Sequence, residues 1–141
     1  MNVTKMDIEM EKFNEENVEI MLKNLGLNTD NYFITMTKPS LLNVALIGTI
    51  AEFAYRYCII CFSETELSLI MLSRINSKKV TELVRIARND INKIKLSDIL
   101  ISYMLNITAS ESNMKFQVYK KVAKFTKLKS SIELFKNLYN L

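Results

Sequence analysis

Cys58 and Cys61 stand three apart as Cys-Ile-Ile-Cys, and they are the residues with the most chemistry to offer. A Cys-x-x-Cys pair serves as a redox centre at a helix N-terminus or as half of a zinc site. Neither context is present. Tyr55, Arg56 and Tyr57 before the pair and Phe62 after it favour a strand, where side chains three positions apart point to opposite faces. The chain has no histidine and no other cysteine to complete a zinc site. The expectation is two reduced, buried thiols acting as small hydrophobes. Absence of histidine also removes Ser–His–Asp and Cys–His catalysis. Carboxylate pairs remain for acid–base work, but Glu64 and Glu66 share one turn, Asp90 and Asp98 occupy others, and all read as solvated. With 2 glycines in the chain, no phosphate-cradling loop exists. We expect no enzyme, no metal, no cofactor and no small-molecule substrate.

Charge is the next feature. Residues 1–70 carry 5 basic and 10 acidic residues, a net of −5, whereas residues 71–141 carry 14 and 5, a net of +9. A basic half suits nucleic acid, an anionic membrane or an acidic partner. The candidate anion-binding residues are Arg74, Lys78, Lys79, Lys120, Lys121 and Lys124, with the lysine run continuing to Lys129. Lysine supplies 15 of the 19 positive charges, so a merely solubilising surface is the competing reading. Base stacking would require aromatics among these lysines. Tyr119 and Phe125 are the only candidates, and Phe125 belongs to an apolar stripe.

The elements that position these residues follow from periodicity. With 141 residues, 49% of them hydrophobic, the chain has the size of one domain. Residues 1–12 lack a cap and are expected to fray, giving a tail over 1–13 and one domain over 14–141. Val18, Met21, Leu22 and Leu25 predict a helix over 14–25, ended by Gly26. Residues 32–37 read as a strand. Ser40 caps a second helix to about Ala54. Residues 55–62 and 67–72 form a hairpin around Ser63–Glu66. Further strands are expected over 80–87, 91–96, 99–108 and 114–119. Ile99, Ile101, Tyr103, Leu105 and Ile107 would share one face. Val122, Phe125, Leu128, Ile132, Phe135 and Leu138 predict a final amphipathic helix, capped by Thr126 or Ser130. The apolar run 41–62 has the length of a membrane span. Glu52 and Arg56 inside it are costly there, at roughly 2.5–3.5 kcal/mol each on the scale of other charged residues. It reads instead as a buried helix running into a buried strand. The N-terminal segment lacks the pattern of a secretory signal, and with two reduced thiols the expectation is a cytoplasmic protein.

About seven antiparallel strands and one covering helix make an α+β fold. Three stretches, Tyr57–Ile70, Ile91–Leu96 and Met114–Tyr119 with the closing helix, together resemble the bacterial pleckstrin-homology-like domains over roughly residues 40–139. The resemblance implies a half-open antiparallel β-barrel with a C-terminal capping helix, here with an extra N-terminal helix. It also implies a binding scaffold rather than an enzyme. Wider-superfamily members that bind inositol lipids use a basic loop between the first two strands. The corresponding Lys38–Arg56 connection is mainly apolar, so no site residue transfers. The expected function is an intracellular protein-interaction module, using a sheet edge or the basic surface to hold a protein partner. The alternative is an anionic-surface binder, for membrane or nucleic acid.

Overall fold

A computed structural model describes residues 1–38, 55–110 and 112–141. The helix expected over 40–54 lies outside the described residues. The strands are β1 (Asn2–Glu9), β2 (Tyr32–Lys38), β3 (Tyr57–Phe62), β4 (Glu66–Leu72), β5 (Lys79–Ala87), β6 (Ile91–Asp98), β7 (Ser102–Ala109) and β8 (Ser112–Tyr119). The helices are α1 (Glu15–Asn24) and α2 (Leu128–Tyr139). Among the described residues these eight strands form one sheet in the order β1-β5-β4-β3-β2-β8-β7-β6. Every neighbouring pair is antiparallel. β1 and β6 are its margins and do not pair with each other, so the sheet is unclosed.

The sequence places seven of these strands, and the eighth corrects it. Residues 2–9 do not fray but pair with β5, from Asn2 opposite Arg85 to Glu9 opposite Lys79. Val3 stands opposite Val84 and Ile8 opposite Val80, contacts that become available only once β5 exists. A segment with mixed charges and no cap gives no local sign of a partner so distant in sequence.

β3 and β4 are buried along nearly their whole length on both faces, so the sheet needs a cover on each side. Alternation assigns the covers. Phe33 of β2 meets Phe135 of α2 at 5.0 Å between ring centroids, and Phe62 of β3 meets it at 5.2 Å. Tyr32, on the opposite face, donates its hydroxyl hydrogen to Glu19 of α1 at 2.9 Å. Phe13, just before α1, packs on Tyr57 of that second face. The two helices therefore sandwich the centre of the sheet.

Local chemistry explains the helix ends. The Asn14 side chain accepts from the Asn17 N–H at 2.9 Å, capping α1. Gly26, at φ +74°, closes it. The Leu27 N–H donates to Leu22 and the Gly26 N–H to Lys23, the double hydrogen bond that a left-handed residue permits. α2 begins later than its apolar spacing suggests. Val122 and Phe125 precede it, no side chain caps it, and Ser130 lies within it, donating to the Lys127 carbonyl at 3.0 Å. The chain turns at Lys124, at φ +69°. That turn sends Phe125 to Phe13 and Tyr32 instead of along the helix stripe.

The two cysteines fall on opposite faces. Cys58 is level with Thr35, on the α2 side, and Cys61 with Tyr32, on the α1 side. Both are free and buried. Burial pushes the Cys58 thiol up to about 12 and the Cys61 thiol up to about 11. Folded thiols thus stay protonated while unfolded ones ionise near ~8.5. Stability carried by the thiols is full below that pH and declines as pH rises through the folded values. Neither thiol should react with an aromatic disulfide reagent at pH 8 in the native protein, and both should react in urea. Phe135→Ala should cost about 3–5 kcal/mol, read as a lowered urea midpoint. A midpoint within error of the parent would mean that α2 is an appendage.

Candidate functional site

The turn at Lys124 leaves an open groove between the lead-in to α2 and the sheet, with a volume of about 740 Å³. Val122, Phe125, Leu128 and Ile132 give it an apolar lining. Lys120, Lys121 and Lys129 stand among the lining residues, with Tyr103 of β7 and Glu133 of α2. Among the described residues, Lys121 and Lys129 make no ion pair. Glu133 is held by Lys136 at 3.3 Å. Lys136 also donates to the Tyr103 hydroxyl at 3.2 Å, and that hydrogen bond, ahead of the carboxylate, raises its pKa.

The β6–β7 connection adjoins this groove through Lys120. Its ammonium donates to Asp98 at 2.8 Å and to the Leu100 carbonyl at 2.6 Å, and lies 4.7 Å from the Tyr103 ring centroid. The Lys120 hydrogen bond holds the Asp98 carboxyl below its usual range. Asp98 also accepts from the Leu100 N–H at 3.0 Å. The Ile99 N–H donates to the Ser102 carbonyl at 2.9 Å. These contacts fix a tight tip that displays Ile99, Leu100 and Ile101, exposed by 43%, 88% and 83%. The strand expected over 99–108, with Ile99 and Ile101 on the face of Leu105 and Ile107, is corrected here. β7 starts at Ser102, and only from there do Leu105 and Ile107 turn inward. The Asp98 side chain ends the ladder by bonding the backbone two residues on, an aspartate turn.

Leu100 sits at φ +80°. A left-handed backbone costs a side-chain-bearing residue roughly 1–2 kcal/mol, and glycine nothing comparable. Folding would favour glycine or asparagine at this position, and a leucine there gains nothing from burial.

The six basic candidates divide between two places. Lys120 and Lys121 line the groove, and Lys124 stands at the turn beside it. Arg74 and Lys78 belong to the β4–β5 connection, and Lys79 opens β5. Lys79 pairs with Asp7 of β1 at 3.1 Å, and the Lys78 carbonyl accepts from the Met10 N–H. Lys79 thus pairs with a strand at one margin of the sheet and Lys120 with a residue at the other. Sequence reasoning missed Leu100 and Tyr103 as site residues. The Ser97-Asp98 break was the available signal, since a strand restarting at Ile99 leaves no residues for the tip.

No group of three or more Cys, Asp or Glu among the described residues could hold a metal ion. No helix among them is long and apolar enough to cross a membrane. No protein-family model and no curated protein matches the chain.

Proposed function

We propose that the chain is a non-enzymatic binding module of pleckstrin-homology-like, half-open barrel architecture that docks on an anionic membrane surface through the β6–β7 tip. The two meanders β2–β5 and β6–β8, joined through the β2–β8 pair and covered on one face by α2, support that architecture. The single observation that carries the function is Leu100, displayed almost fully and held at a backbone angle that opposes it. Leu and Ile side chains each contribute roughly 1.5–3 kcal/mol when fully taken out of water. A lysine near an anionic leaflet contributes about 1 kcal/mol. Neither alone gives a lasting anchor, and the two together give reversible docking. The tip supplies the first, and Lys121 and Lys129, which make no ion pair among the described residues, supply the second.

A protein partner added at a sheet edge has less support. Lys5, Asp7 and Glu9 on β1 and Lys93 and Lys95 on β6 place charges along both margins, the arrangement that blocks strand addition.

Leu100→Gly separates docking from folding. Glycine accepts φ +80° without strain, so stability should stay within about 1 kcal/mol of the parent. Binding to vesicles of phosphatidylcholine and phosphatidylglycerol should weaken by about tenfold or more, read by co-sedimentation at low salt. Polynucleotide should not compete. Vesicle binding that is absent in the parent, or unaltered in the variant, would sink the proposal.

A further inference from the structure

We infer that the groove beside the tip holds one anionic, single-chain lipid, with its acyl chain along the apolar lining and its phosphate or carboxylate on Lys121 and Lys129. The inference rests on the membrane reading, because it takes its ligand from the same surface. The volume of about 740 Å³ falls in the range of small-molecule sites, roughly 300–1,000 Å³. Val122 and Phe125 are half-buried in this open groove and retain surface for an apolar chain to cover.

The polar groups of the lining decide between a lipid and an acidic peptide. A peptide brings backbone N–H donors that need acceptors once water is displaced. Glu133 is engaged by Lys136. Thr126 gives its N–H and hydroxyl hydrogen to Glu15, at 2.8 and 3.0 Å. The side chains of the lining therefore offer cationic donors and apolar carbon but few unengaged acceptors. An acyl chain has no polar group to satisfy, and its anionic headgroup matches ammonium groups that lack an ion pair among the described residues.

The probe is lysophosphatidylglycerol below its micellar concentration, titrated by calorimetry into the full chain. Saturable binding with one lipid per chain is expected. Lys121→Glu combined with Lys129→Glu should weaken it by about tenfold or more. Ala123→Trp, at an exposed position of the lining, should abolish it while the urea midpoint stays at the parent value. Leu100→Gly should leave it unchanged even where vesicle docking is lost, which separates this inference from the docking proposal. Glycerol phosphate and lysophosphatidylcholine should each bind far more weakly. The inference is overturned by absence of saturable binding, by full affinity in Ala123→Trp, or by equal affinity for glycerol phosphate or lysophosphatidylcholine. Tighter binding of an acidic amphipathic peptide would overturn it too.

Discussion

The structure depends on burying β3 and β4 on both of their faces. A strand with one wet face can rest on a single cover, but Cys58–Phe62 and Leu67–Leu72 have no wet face. The apolar area they present is useful only if each side is covered at once. Phe135 meets this need on one side, seated between Phe33 and Phe62 and backed by Tyr139 at 4.9 Å. On the other side, α1 brings Val18, Met21 and Leu22 into the core. The two covers are also tied together. Lys127, immediately before α2, reaches Glu19 of α1 at 2.9 Å, and Ser131 donates to the Asp30 carbonyl at 3.0 Å.

The candidate site follows from this arrangement as a by-product of geometry. α2 has to place Phe135 over the middle of the sheet, while the chain leaving β8 ends at one side of it. The lead-in from Lys120 to Lys127 spans that offset without filling the space beside it. The groove is the result. The same stretch carries four lysines, Lys120, Lys121, Lys124 and Lys127, because a connecting segment at the surface tolerates charge that the sheet centre does not.

Much of the fold is legible where the signal is local. The apolar runs of β3 and β4, the alternation of β8 and the Gly26 stop of α1 all appear within windows of a few residues, and the structure agrees with each. What escapes is non-local or lies at a boundary. β1 alternates apolar Met6 and Ile8 with charged Lys5, Asp7 and Glu9, a short strand pattern, but nothing within residues 2–9 names β5 as the edge that it pairs with. Ile99 and Ile101 match the parity of Tyr103 and Leu105, and parity cannot reveal that an aspartate turn interrupts the strand first. Phe125 has helical spacing, yet the left-handed residue before it redirects the chain. The groove was legible only as a lysine-rich stretch. Its apolar lining comes from residues that periodicity assigned wholly to the core.

The pairing of β1 with β5 bears on the order in which the molecule can assemble. β2 excepted, the strands of the β2–β5 meander are joined by short turns and can zip up from neighbours. β1 has to wait for β5, because Asn2 finds its place only opposite Arg85. During synthesis residues 2–9 are thus made well before the strand they dock on, a costly closure over a long stretch of chain. Until it does, β5 presents unpaired backbone with Val80, Leu83, Val84 and Ile86 along it, an adhesive margin of the kind that joins nascent chains to one another. The charged β1 strand covers that margin once it docks, so residues 2–9 act as a built-in guard against self-association as much as a piece of the sheet.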